Sequence, residues 1–233
     1  MKVRLTEQEL IELIKQVIKE EEAPNLLDVP HYLQSDDSTC GPASLRMVMG
    51  FYGLDISEKD LAAACGHSYE LGCRSEDMAC AAEGLGFDVI LKNNSTISEL
   101  SNIVNSGVPV IVDWFCGDPP EGHSSVVIGV DEKNIYILDP YLEEMRTVTK
   151  EDFRRCWFDF YETPITPDNL YVGQIMVLKP NQNFRTTLKS KMEPIEKFET
   201  NESELNERCW KGYTQKGMKT MFGKRYPNCV KKK

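Results

Sequence analysis

The sequence predicts an α+β domain, because two textures meet near the middle of the chain. Residues 42–105 place apolar side chains at helical spacing between helix-start and helix-stop residues, whereas residues 108–178 carry short β-branched runs separated by turn formers. A helical half is then followed by an antiparallel sheet half. The chain has 233 residues, 41% of them hydrophobic, enough for one substantial core with appendages.

Thr6-Glu7-Gln8-Glu9 has the form of a capping box, and Leu10, Leu13, Ile14, Val17 and Ile18 fall on one helical face behind it. Residues 1–24 therefore read as an amphipathic helical arm that packs on the body or binds a partner. The core domain should span residues 27–180. It opens with an extended segment at 27–33 and a helix at 42–52, where Pro42 suits a first turn and Gly53 a stop. Ser57-Glu58-Lys59-Asp60 opens a second core helix, and Ser75-Glu76-Asp77 caps a third that carries Met78, Ala81, Ala82 and Leu85. A strand at 87–91 and a helix at 98–105 follow. Strands are then expected at 108–114, 124–130 and 135–138, the last two joined by a hairpin turn at 131–134. Thr149 caps a short helix bearing Phe153 and Trp157, and the last strand falls at 173–178. Residues 181–207 read as a polar linker and residues 208–233 as a basic tail with aromatics among the lysines.

The formal net charge of −10 is unevenly spread, since residues 208–233 hold nine Lys/Arg and no Asp/Glu. The body before them is strongly acidic, which argues against a nucleic-acid groove on the main domain. No apolar run approaches the roughly 20 residues of a membrane span, and the acidic start has no secretion h-region. A soluble, cytoplasmic protein is expected. Eight cysteines spread over this length suit reduced thiols better than a disulfide scaffold. Cys65, His67, Cys73 and Cys80 share one stretch, but their spacing is not that of paired zinc knuckles, so buried thiols and a loop histidine are the preferred reading. No metal or cofactor is expected.

The polar stretch 34–39 stops at Cys40-Gly41-Pro42, where an apolar helical run begins. A cysteine at the positive end of a helix is favoured as thiolate, the nucleophilic form. The first-turn N–H groups can face the oxygen of a carbonyl under attack, and the Gln34 amide can swing to the same point. A thiol nucleophile needs a base. Of three histidines, His31 lies just before Gln34 and His67 sits beside Gly66. His123 is placed at a loop-to-strand junction, rigid yet reachable. The neighbouring strand ends at Asp139-Pro140, so Asp139 can orient the imidazole, although Asp-Pro is equally an ordinary turn.

At these residues the chain resembles the peptidase C39-like family, papain-fold cysteine peptidases related to domains that clip leader peptides from bacteriocins. The resemblance is carried by Gln34 with Cys40-Gly41-Pro42-Ala43-Ser44, by Tyr52-Gly53 and Ile56-Ser57-Glu58, and by Gly107-Val108-Pro109-Val110-Ile111. His123 heading residues 126–131 and Leu138-Asp139-Pro140 complete it, over roughly residues 29–178. It implies a papain-like fold with Cys40 as nucleophile, His123 as general base and acid, Asp139 as orienter and Gln34 as oxyanion donor. The implied substrate is a peptide or protein, cut at a peptide or isopeptide bond. Two departures stand out. Thr39 occupies a place that is acidic in many bacteriocin-processing members, and no membrane region or phosphate-binding loop follows, so neither a peptidase-transporter nor a double-glycine preference is expected.

The terminal segments, at 5–7 and 216–229, resemble short segments on proteins of marine tailed phages. That implies a sorting or packaging tag with a virion or assembly partner, the alternative being a disordered basic tail. The expected activity is thiol hydrolysis. A catalytically idle C39-like docking domain is the alternative, and acyl transfer to an amine stays open.

Overall fold

The computed structural model describes residues 6–21, 24–70, 72–117, 120–160, 164–184, 213–221 and 224–231. The expected linker therefore lies, from residue 185 on, outside the described residues, as do Cys209 and Trp210.

Helix α1 (Glu7–Glu21) begins at the anticipated capping box, in which Glu9 Oε2 accepts from the Thr6 N–H at 2.7 Å and Thr6 Oγ1 accepts from the Glu9 N–H at 3.3 Å. Leu10, Ile11, Leu13 and Ile14 on it remain 45–48% exposed. Helices α2 (Cys40–Phe51), α3 (Glu58–Cys65) and α4 (Ser75–Gly84) then form the helical half. Strand β1 (Phe87–Lys92) and helix α5 (Ile97–Asn105) precede β2 (Val110–Gly117), β3 (Pro120–Val130), β4 (Asn134–Leu138) and β5 (Arg146–Thr149). Helix α6 (Lys150–Cys156), the short pair β6 (Phe158–Phe160) and β7 (Leu170–Val172), and β8 (Ile175–Pro180) complete the domain. Among the described residues no helix is long and apolar enough to cross a membrane.

Six strands form one antiparallel sheet in the order β1-β8-β2-β3-β4-β5. Its two faces carry separate cores. Ile111, Val126, Ile128, Met176 and Leu178 meet Leu45, Val48, Leu61 and Met78 of the helical half. Val112, Val127, Ile137 and Val177 meet Leu100 of α5 and Phe153 of α6. Alternate residues of β2 and β3 thus point into apolar surroundings on both sides, and for that reason these strands read as continuous apolar runs.

Two expectations are corrected. Ser75 does not cap α4, whose N-cap is Arg74 without a side-chain cap bond. Instead its hydroxyl turns inward to Asp113 and Gln174. Strand β3 starts at Pro120, so His123 stands inside a strand, paired with Trp114, and not at its mouth. The basic tail holds two paired strands, β9 (Tyr213–Met221) and β10 (Lys224–Lys231), where a disordered tail was one of the two readings.

Gly86 turns α4 into β1 with φ of +93°, and a Cβ there would sit 2.8 Å from the backbone of Phe184. Left-handed backbone and steric overlap act together, so Gly86→Ala should lower stability by about 1–3 kcal/mol, read as a shifted midpoint in urea unfolding.

Candidate active site

Helix α2 starts on Cys40, with Thr39 at the N-cap position. That side chain makes no cap bond to the helix and donates instead to the Asp36 carbonyl at 3.1 Å. The other polar-capped helices differ: Ser57, Thr96 and Thr149 each accept an N–H of their own first turn. No acid stands in the first turn of α2, and the Cys40 and Gly41 N–H groups enter no hydrogen bond among the described residues. The positive end of this helix is therefore left open at the thiol, where a cap would have stabilised the helix by roughly 1 kcal/mol.

The loop before it is braced. Buried Glu58 accepts from the Ser35 N–H at 3.0 Å and the Ser35 hydroxyl at 2.7 Å, and Asp36 accepts from the Ser38 N–H and hydroxyl. His67 bonds Ser38 Oγ at 2.8 Å from the α3–α4 side. The Gln34 N–H donates to the Pro140 carbonyl at 2.8 Å, and His31 Nε2 donates to the Asp139 carbonyl at 2.9 Å. Residues 31–34 are thus laced to the turn that carries Asp139.

His123 is 9% exposed and Asp139 fully buried, and His123 Nε2 lies 2.6 Å from Asp139 Oδ1. This leaves Nδ1 free of Asp139, and Cys40 lies near enough to act on the imidazole. Asp139 Oδ1 also accepts the Tyr141 N–H at 3.0 Å. Its Oδ2 lies 2.9 Å from Arg146 Nη2, an ion pair without good hydrogen-bond direction. Burial opposes charge on His123, but the Asp139 bond and the nearby Cys40 outweigh it and push its pKa up to about 10. Burial raises the Asp139 pKa, and the His123 bond overrides it to leave the carboxyl below its usual range.

Of the four residues singled out in the sequence, Cys40, His123 and Asp139 come together. The Gln34 amide donates to the Asp36 carbonyl at 2.8 Å, and its Oε1 is buried without a partner. One Nε2 proton remains uncommitted.

A second cysteine borders the group. A Cys116 sulfur, a His123 ring nitrogen and an Asp139 oxygen lie within 4.8 Å of one another, a donor set that a soft divalent cation could span. Burial pushes the Cys116 thiol up to about 12, with Arg146 opposing and Asp139 and Cys40 adding to the rise. Cys116 therefore stays a neutral thiol near pH 7, and it lacks a helix N-terminus.

Behind His123 lies a polar network that the sequence did not reveal. Fully buried Asp113 accepts from Ser124 Oγ at 2.5 Å, and its Oδ2 is 2.5 Å from Ser75 Oγ. Ser75 Oγ is 2.8 Å from Gln174 Oε1, whose Nε2 donates to Asn93. The Ser75 hydroxyl thus lies within reach of both a carboxyl oxygen and an amide oxygen. Burial raises the Asp113 pKa, with the bonds from Ser124 and Ser75 opposing. The one sequence signal was an acid inside the β-branched run 110–114.

The sheet and the helices before it make a papain-like α+β fold, on which a cysteine, a histidine and an aspartate are grouped. More particularly, the chain belongs to the Peptidase C39 like family, whose family model matches residues 26–165, more than half of its length. The match does not reach the terminal segments. The lactococcin transport/processing ATP-binding protein LcnC-like of Lactococcus lactis is 27% identical over 126 residues, 53% of this chain but only 17% of that protein. Among solved structures, the peptidase domain of Streptococcus ComA, a bi-functional ABC transporter involved in a quorum sensing pathway, superposes with a TM-score of 0.53. It is 24% identical, over 65% of this chain and 98% of its own. A double glycine motif protease from an AMS/PCAT transporter, solved in complex with the leader peptide, gives a TM-score of 0.50 at 22% identity, over 67% and 95%.

Two measurements test this site. Asp113→Asn keeps a donor and an acceptor in place and should unfold close to wild type, whereas Asp113→Ala, stranding two hydroxyls, should cost about 1–3 kcal/mol in urea unfolding. The His123–Asp139 pair should also set a pH window. His123 is raised from 6.5, so its stabilisation is complete below that value and lost as pH climbs through about 10. Asp139 is lowered from 3.8, so its share is present above that value and lost as pH falls. The stability gap between wild type and Asp139→Asn should therefore peak between about pH 4 and 6.5 and close toward pH 10.

Proposed function

We propose that this chain is a cysteine peptidase that hydrolyses a peptide or isopeptide bond through Cys40, His123 and Asp139. The observation that carries the reading is a single line of contacts. An open helix N-terminus presents Cys40 to His123, and the far nitrogen of that imidazole is held at 2.6 Å by buried Asp139.

In this mechanism the Cys40 sulfur attacks the substrate carbonyl while its proton resides on His123 Nδ1. The oxyanion that forms is met by the Cys40 N–H and by the uncommitted Gln34 N–H. Collapse of the intermediate breaks the carbon–nitrogen bond, His123 hands its proton to the leaving amine, and an acyl-thioester remains. His123 then takes a proton from water, the hydroxide displaces the sulfur, and the acid product departs. Asp139 keeps the imidazole in the orientation and tautomer that both halves require. A leader peptide in one solved relative supports a peptide as the substrate class.

One observation favours the rival reading, a peptide-binding domain without turnover: the Gln34 amide is committed in part to the Asp36 carbonyl. The two readings part on turnover. Cys40→Ala should lose about 10⁴-fold or more in kcat and still bind peptide. Gln34→Ala should lose about 10²–10³-fold in kcat with KM little changed. Alkylation of Cys40 by iodoacetamide at pH 7 should slow markedly in His123→Ala. A wild-type chain that binds peptides, cuts none and alkylates no faster than its His123→Ala variant is the idle domain.

A further inference from the structure

Next to His123 lies an acid that the proposed mechanism does not use. Strand β6 packs against β2 and β3, and its Asp159 carboxylate rests on Gly122, the residue before His123, where any Cβ would overlap it. One oxygen accepts the adjacent Phe160 N–H at 2.7 Å, and among the described residues no basic side chain closes on either oxygen. Asp159 is nevertheless only partly exposed. Around it Phe115 stacks on Phe158 and Phe160, with ring centroids 5.3 and 5.4 Å apart, and all three rings are half-buried with part of their surface facing solvent.

We infer that Asp159 and the Phe115, Phe158 and Phe160 rings form a subsite for a basic side chain of the peptide, lysine or arginine; this rests on the reading of the site as one that receives a peptide. The stem of such a side chain lies along phenyl faces, which also attract its cation, while its head reaches the carboxylate. A neutral side chain of the same length fills the same space and leaves the acid unpaired. The strongly acidic body draws basic peptides toward the cleft. The subsite explains why residue 122 is glycine: the volume of a side chain there is taken by the acid.

The empty subsite has a thermodynamic signature. Burial, together with any charge on Asp113, pushes the Asp159 pKa up to about 7, with His123 opposing; Tyr171 stands across from it in β7. A raised carboxyl stabilises the fold fully only below its unfolded value of 3.8, and that share is lost as pH rises through about 7. Near neutrality the desolvated Asp159 carboxyl therefore adds none of that stability.

The test uses the full chain and peptides in which one position at a time is lysine, arginine or norleucine. Wild type should favour lysine or arginine over norleucine at one position by about 10–100-fold in kcat/KM, and Asp159→Asn should reduce that ratio below about threefold. The same ratio, read as Kd on Cys40→Ala, separates the subsite from the chemistry. An Asp159-dependent preference in binding without any cleavage by wild type upholds the subsite and removes the peptidase reading. Asp159→Asn should also melt above wild type at pH 8, the gap narrowing toward pH 4. Equal handling of basic and norleucine peptides in both assays overturns the inference. So does a basic preference that survives Asp159→Asn, or an Asp159→Asn variant that melts lower at pH 8, which would make the acid a structural cap of Phe160.

Discussion

The site depends on how α2 is seated against β3. Ser44, one helical turn beyond Cys40, is fully buried and donates its hydroxyl to the Ser124 carbonyl at 3.0 Å, and Ser124 follows His123. The neighbours of Ser44 on the helix, Ala43, Leu45 and Val48, are entirely inaccessible. Burial of Leu45 and Val48 contributes roughly 1.5–3 kcal/mol each to holding the interface closed. A helix anchored one turn in can move its first residue only by moving as a whole. Cys40 and His123 are thus placed by two rigid elements and one polar bond between them, not by their loops.

Charge in this interior is arranged by pairing. Asp139 is stripped of water but faces His123 on one side and Arg146 on the other, so a charged form survives where an isolated carboxylate would not. Asp113, nearly as buried, is met by two hydroxyls and by no cation in direct contact among the described residues, and burial raises its pKa. Both thiols are partly exposed, but desolvation among the groups of the site holds Cys116 neutral, whereas Cys40 stands at an uncapped helix start. Environment, not residue type, distinguishes each pair.

The positions of Cys40, His123 and Asp139 were marked locally by a helix start, a loop-to-strand junction and an Asp-Pro turn, although the junction fell three residues earlier than His123. The sheet half was legible because β2 and β3 are apolar on both faces. Residues that act through contacts distant in sequence left no such mark. His31 reaches Asp139 across 108 residues, and Arg146 reaches it from a short half-buried strand whose alternation was too brief to read. Ser75 misled for a physical reason. Its position suits an N-cap, but a buried acid 38 residues away offered its hydroxyl a stronger partner than the helix end did. Phe158 to Phe160 passed unnoticed as a strand because three residues carry no periodicity.

The sheet itself shows where its chemistry begins. β2 reads Val110, Ile111, Val112 and then Asp113; β3, taken from its far end, reads Val127, Val126 and then Ser125, Ser124 and His123. In the antiparallel register Val112 faces Ser125, Asp113 faces Ser124 and Trp114 faces His123, so the two strands turn polar within one rung of each other. Up to that rung the strands are sandwiched between two apolar cores, and a polar side chain would cost several kcal/mol unless fully paired. At that step the polar side chains bond to one another, Asp113 with Ser124 and His123 with Asp139, and the backbone of Gly122 leaves room for the Asp159 carboxylate. An apolar-to-polar change matched across two strands is a stronger sign of a site than any single histidine, because only a shared opening lets both strands make the change together.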